Sequence, residues 1–271
     1  MILDYFDINQ LAQSGQTFRW YPNKGGYVVV HRDQGMYISQ AGKTVDILPL
    51  TEADLDYWLH YLDQGRDYGA IRQAFMGKND YLDQAMAVGH GIRVLNQDAY
   101  EMLVTFMISA NNNMKRIKAS VSDLAKKYGR SIFTYEGETY YAFPTSNDLR
   151  DLSVEDYRAC GLGYRDKYLH QCIQDLNSGL DIESFKDLGD CELLKALMTI
   201  KGVGQKVANC VILFGYQRRD GFPIDTWIRK VLLGHFDVGK EDLQAFAKEN
   251  FPYEGGLAQQ YLFYYGAVIK K

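Results

Sequence analysis

Two residue periodicities divide this chain, and their order limits what it can fold into. In the first fifty residues, FRWY, YVVVH, MYISQ and TVDIL are β-rich runs, separated by the turn-forming NKGG, DQG and AGK. Short connections of that kind predict an antiparallel meander. Thr51-Glu-Ala-Asp54 then resembles a capping box that opens a helix through Leu62. From there a helical period dominates, with segments near 67–76, 80–88, 97–109, 114–128, 153–160, 164–178, 190–200, 206–216, 226–234, 240–250 and 256–269. Tyr135–Phe143 stands out as a strand or an irregular excursion. Strands first and helices after predict an α+β fold: an antiparallel sheet domain over 1–90 and a mainly helical domain over 91–271.

The 271 residues suffice for one large domain or two ordinary ones. The longest apolar runs, near Val207–Tyr216 and Tyr261–Ile269, fall short of the about 18 residues that span a bilayer. MILDYFDINQ has neither a basic flank nor a long apolar stretch, so a cytoplasmic protein without an export signal is expected. Cys160, Cys172, Cys191 and Cys210 are too widely spaced for a CxxC pair and read as reduced thiols. The net charge of -4 lacks the basic excess of many nucleic-acid binders. Locally the balance reverses: Lys115, Arg116, Lys118, Lys126, Lys127 and Arg130 face only Asp123 between residues 114 and 130. A solvated helix face explains that stripe as well as a nucleic-acid contact does.

The chemistry concentrates in Ile200–Asp225, IKGVGQKVANCVILFGYQRRDGFPID. Leu193, Leu194, Leu197 and Met198 precede it at helical spacing. Val207, Ala208, Val211 and Ile212 repeat the pattern beyond Gly202-Val203-Gly204, so 191–216 reads as a helix-hairpin-helix. Glycine permits unusual backbone angles and close approach, and the free N–H groups that open the second helix suit a phosphate. A tight turn with no ligand fits the same residues. Lys206, at the start of that helix, reads either as a phosphate-binding lysine or as a nucleophile. An amine attacks only when neutral, which burial and positive surroundings favour. Asp225 precedes Thr226-Trp-Ile-Arg-Lys and is a plausible N-cap, which would also fix its carboxylate where positive charge could develop.

This segment resembles the helix-hairpin-helix DNA glycosylases, and most closely their 8-oxoguanine DNA glycosylase/AP lyase branch. Gly91–Ile117, GIRVLNQDAYEMLVTFMISANNNMKRI, is similar to that family's G-[IV]-R-x-L-x-Q-D…S-x-N-N-N segment, and GLGYRDKY at 161–168 and SGQTFRW at 14–20 agree. Relatives with an iron–sulfur cluster need a cysteine group near the C-terminus, and 240–271 contains no cysteine.

The resemblance implies a repair enzyme that flips 8-oxoguanine out of damaged double-stranded DNA, working as a monomer with no membrane partner. Gly202, Val203 and Gly204 would hold the DNA backbone. Asn111 would fill the vacated space and pair with the orphaned cytosine, assisted by Arg116 and Arg165, while Tyr164 wedges beside the next base. The lesion would lie between Cys210 and Phe263, with Gln259 at its Watson–Crick edge. The Gly15 carbonyl would accept from the N7 hydrogen that guanine lacks. Lys206 would attack C1′ and form an imine, Asp225 would stabilise the positive sugar, and β-elimination would cut the strand. No cofactor or metal enters that chemistry, although hairpin carbonyls could hold a monovalent cation. Two departures from the family pattern stand out. Lys201 replaces the usual proline before GVG, and Trp227 replaces a histidine that often contacts phosphate.

Overall fold

The computed structural model describes residues 1–240 and 243–270. A short helix, α1 (Ile8–Gln13), comes first, followed by strands β1 (Trp20–Asn23), β2 (Gly26–His31), β3 (Gln34–Ala41) and β4 (Thr44–Pro49). The strands pair antiparallel in the order β1-β2-β3-β4, the meander that the short turns predict. Too short to show a helical period, α1 was not expected. Its signature is Asp7, whose side chain accepts from the N–H groups of Asn9 and Gln10 at 2.9 Å each.

The alternation of β2 decides what each sheet face covers. Val29 joins Leu11, Trp20, Met36, Ile38, Trp58 and Leu95 in a core beneath α1 and α2 (Leu55–Tyr61). Val28 and Val30 point the other way, against Tyr140. The cap of α2 differs from the expected box. Asp54 alone caps it, accepting from Tyr57 N at 2.9 Å. Thr51 instead donates to Gln34 Oε1 at 2.6 Å and accepts from Gly35 N at 3.0 Å, closing the sheet edge.

The remaining elements begin with α3 (Tyr68–Phe75), α4 (Asp80–Val88), α5 (Ala99–Ser109) and α6 (Met114–Tyr128). The excursion expected around 135–143 is a hairpin of β5 (Ser131–Tyr135) and β6 (Glu138–Tyr141), which starts earlier than its apolar pattern suggests. It covers the second face of the sheet through Phe133 stacked on Tyr140 and Tyr135 on Tyr37. Then follow α7 (Val154–Arg158), α8 (Asp166–Asn177), α9 (Asp190–Thr199), α10 (Gln205–Phe214), α11 (Thr226–His235), α12 (Leu243–Asn250) and α13 (Gly255–Phe263). Residues 264–269 continue α13 as a wider π-helical turn. Of the helix expected over 240–250, residues 241 and 242 lie outside the described residues. No helix among those described is long and apolar enough to cross a membrane.

One large core joins α3, α4 and α5 to the hairpin helices α9 and α10 through Phe75, Leu82, Leu103, Leu197 and Val211. Polar groups seal its seam with the sheet. Arg19 and Glu101 form a buried pair at 3.4 Å, and burial pushes the Glu101 carboxyl up to about 7. Arg93 donates to the carbonyls of Asp4 at 2.7 Å and Tyr5 at 3.1 Å.

Candidate active site

A cleft of about 750 Å³ opens where the α1–β1 loop, the end of α5 and the starts of α6, α10 and α11 meet α13. Lys206, Cys210, Asp225, Gln259, Phe263, Gly15 and Asn111 all line it, although they come from five separate parts of the chain. Lys206 is half-buried in the first turn of α10. Its Nζ donates to Ser109 Oγ at 3.4 Å and lies 5.1 Å from the centroid of the Phe106 ring. Phe106 and Ser109 were not singled out from the sequence. The signal was there: Ser109 belongs to the S-x-N-N-N stretch, and Phe106 sits one turn earlier on the same face of α5.

Asp225 caps α11, as its position before Thr226 suggests: Oδ1 accepts from Ile228 N at 2.8 Å. The bond fixes the carboxylate at the cleft wall. Cys210, one turn after Lys206, is buried. Burial pushes its thiol up, the Lys206 charge opposes that shift, and the Asp225 charge adds to it.

Gly15, also in the cleft lining, has φ +77°, and a Cβ built there would lie 2.9 Å from Phe263 Cε1. The backbone can lie this close to the aromatic ring only because position 15 has no side chain. Phe263 is half-buried and Gln259 is 5% exposed.

The hairpin stands beside the cleft. Gly202, at φ +92°, leaves no room for a Cβ against Tyr168 Cβ at 2.7 Å. Val203 turns its side chain into the core and spends its N–H on the Ile200 carbonyl at 3.0 Å. Gly204 begins α10 with no side-chain cap, so the first N–H groups of that helix can meet an anion. A shallower groove of about 390 Å³, lined by Tyr164, Arg165, Tyr168, Lys201, Gly202 and Gly204, continues the surface.

The Asn111 turn is less simple than its motif. Asn111 is exposed at φ +48°. Asn112 donates to the Ile108 carbonyl at 3.1 Å, and Asn113 caps α6 through Arg116 N at 3.0 Å. Arg116 is exposed. Tyr164 is 56% exposed beneath the Arg165 guanidinium, 4.5 Å from its ring centroid. Arg165, expected at the orphaned base, is instead 5% exposed. Its guanidinium donates to the carbonyls of Ala110 and Asn111 at 2.5 Å each and of Leu162 at 3.1 Å. It braces the turn from behind. Much of the basic stripe is likewise committed: Lys118 and Lys127 donate to the carbonyls of Ala12 and Ala159, and Arg130 pairs with Asp33. Trp227 also lines the cleft, with Lys230 Nζ 5.0 Å from its ring centroid.

Residues 104–250 match the family described as HhH-GPD superfamily base excision DNA repair protein, and 3–103 match the 8-oxoguanine DNA glycosylase N-terminal domain. The chain belongs to the 8-oxoguanine DNA glycosylase family of the HhH-GPD superfamily. A Clostridium acetobutylicum 8-oxoguanine glycosylase/lyase, solved with duplex DNA carrying cytosine opposite 8-oxoguanine, is 34% identical with a TM-score of 0.92. That similarity covers 99% of this glycosylase-family chain and 94% of the solved one. A probable N-glycosylase/DNA lyase of Methanothermobacter thermautotrophicus is 28% identical over 67% of this chain, and the N-glycosylase/DNA lyase of Saccharomyces cerevisiae 33% over 59%. These matches span 65% and 44% of the two relatives' own lengths.

Proposed function

We propose that this chain removes 8-oxoguanine from duplex DNA with Lys206 as nucleophile and then cleaves the strand as an AP lyase. The observation that carries the reading is the convergence of Lys206, Asp225 and Cys210 on one cleft with Gly15, Gln259 and Phe263. The volume of about 750 Å³ is ample for an everted nucleotide.

The hairpin around Gly202, Val203 and Gly204 grips the phosphate backbone, with Lys201 in the adjoining groove. Asn111 enters the gap left by the flipped base, Tyr164 presses on the neighbouring pair, and Arg116 contacts the opposite strand. Arg165 serves through the carbonyls it braces. The oxidised purine stacks on Phe263 against Cys210, offers its Watson–Crick edge to Gln259 and its N7–H to the Gly15 carbonyl. Undamaged guanine would oppose a lone pair to that carbonyl, at a cost of roughly 1–3 kcal/mol.

The Lys206 amine, once it has given up a proton, attacks C1′ as the base departs with the glycosidic bonding pair and takes up a proton. Loss of a further amine proton and opening of the C1′–O4′ bond give the imine, which activates C2′–H for β-elimination of the 3′ phosphate. Asp225, locked as a cap, faces the positive charge on the sugar. The chemistry calls for no cofactor, and a monovalent cation at the hairpin carbonyls is compatible with it. One chain supplies every group named, so a monomer suffices, and a DNA-associated location in the cytoplasm is part of this proposal.

Borohydride should trap a covalent adduct between the chain and an 8-oxoguanine:cytosine duplex, and Lys206→Gln should trap none. No adduct with the native chain, or an undiminished one with the variant, overturns the reading.

A further inference from the structure

A buried relay of amides runs from the seam between sheet and helices to the reading side of the cleft. It begins at two backbone groups. Leu95 N donates to Gln16 Oε1 at 2.8 Å, and the Arg93 carbonyl accepts from Gln16 Nε2 at 2.8 Å. An N–H can only donate and a C=O only accept, so these two partners leave the Gln16 amide one orientation. Ser14 agrees: its hydroxyl donates to the Leu11 carbonyl at 2.8 Å and therefore accepts from Gln16 Nε2 at 2.9 Å.

Gln16 Nε2 has two hydrogens, which the Arg93 carbonyl and Ser14 Oγ take, so Gln260 Oε1 at 3.4 Å receives only a shared, bifurcated contact. An amide NH2 still faces an oxygen more favourably than a second NH2, which turns Gln260 Oε1 toward Gln16 and its Nε2 toward Gln259 Oε1, to which it donates at 3.0 Å. The orientation set at the backbone of 93–95 thus biases Gln259 through one electrostatic contact and one hydrogen bond. Ser14 and Gln16 are fully buried, and Gln259 and Gln260 are 5% and 3% exposed, so little water competes for these bonds.

The consequence concerns what Gln259 can read. Rotating a glutamine amide by half a turn exchanges donor and acceptor at almost no steric cost. A 6-oxopurine presents an acceptor, O6, beside a donor, N1–H; a 6-aminopurine presents the reverse. A glutamine free to rotate pairs with either edge, whereas a clamped one pairs with one. With one lone pair of Gln259 Oε1 engaged by Gln260, the other is left for N1–H, and Nε2 is left to donate to O6. Both 8-oxoguanine and 8-oxoadenine carry N7–H, so the Gly15 carbonyl cannot tell them apart.

We propose that Gln260, oriented by Gln16, is a specificity-determining positioning residue that clamps the Gln259 amide so that the cleft accepts a 6-oxo and rejects a 6-amino purine lesion. The assignment rests on the 8-oxoguanine reading given above.

Its test compares single-turnover excision of 8-oxoguanine and of 8-oxoadenine, each opposite cytosine, with strand cleavage at a preformed abasic site, which presents no base to read. The wild-type chain, Gln260→Met and Gln260→Leu are measured in parallel. The expected result is a fall of about tenfold in the 8-oxoguanine:8-oxoadenine rate ratio in both variants. Abasic-site cleavage should stay within about twofold of wild type. An unchanged ratio, or equal losses on all three substrates, overturns the clamp while leaving the excision chemistry standing. No 8-oxoguanine excision by the wild-type chain would overturn the parent reading and the clamp with it.

Discussion

The cleft's base-facing side and the surface around its rim are built on opposite physical plans. On the reading wall, Ser14, Gly15, Gln16, Gln259 and Gln260 are small or amide-bearing, and the four with polar side chains are buried and bonded to one another or to fixed backbone. At the rim of the cleft and in the adjoining groove, Asn111, Arg116, Tyr164 and Lys201 are exposed. There, order comes from behind, through Arg165 on the Ala110 and Asn111 carbonyls. A buried hydrogen bond meets little competition from water and can fix a donor or acceptor to within one orientation. An exposed side chain stays free to move with a substrate that must be bent and opened. On the proposed function, discrimination would belong to the first set and grip to the second.

Asp225→Asn offers the strongest challenge to that division, because it separates a residue's structural task from its chemical one. Asparagine caps a helix as well as aspartate does, so the melting temperature should hold. If the Asp225 charge faces the sugar as proposed, excision should nevertheless fall by roughly a hundredfold or more. A large drop in melting temperature with little loss of rate would show that Asp225 is only a cap.

Gly15→Ala probes the reading wall. The added Cβ would meet Phe263 Cε1 at 2.9 Å from a backbone already at φ +77°. Excision of 8-oxoguanine should drop by roughly tenfold or more, and cleavage of an abasic site by much less. Equal losses in both assays would place the effect in the general fold instead of in base reading.

A smaller effect distinguishes the two parts of the mouth. Arg165→Ala strands the buried Leu162 carbonyl and removes the brace from those of Ala110 and Asn111, and should destabilise the chain by roughly 1–3 kcal/mol in denaturant unfolding. Asn111→Ala removes an exposed side chain and should leave stability within about 0.5 kcal/mol. It should instead reduce the preference for cytosine opposite the lesion. If Arg165→Ala unfolded like the wild type, the brace would be wrong and a direct DNA contact favoured.

Much of the fold was legible along the chain because its signals are local. The meander followed from alternation and turn residues, and the hairpin from two helical stripes around Gly202-Val203-Gly204. The Asp225 cap followed from its place before Thr226. Where a pattern was short or shared, sequence was weaker. The six residues of α1 carry no period, and Thr51 offered a cap that the sheet edge claimed instead.

The residue types at the site were equally visible, since an amine, a carboxylate and a glycine can each be recognised by kind. Their bonding was not. Sequence supplied an arginine at 165, but only packing turned its guanidinium inward onto two carbonyls. It supplied glutamines at 16, 259 and 260, yet a glutamine has two interchangeable faces. At Gln16 what decides between them is backbone at 93–95, distant along the chain and brought near only when sheet and helices close over a common core.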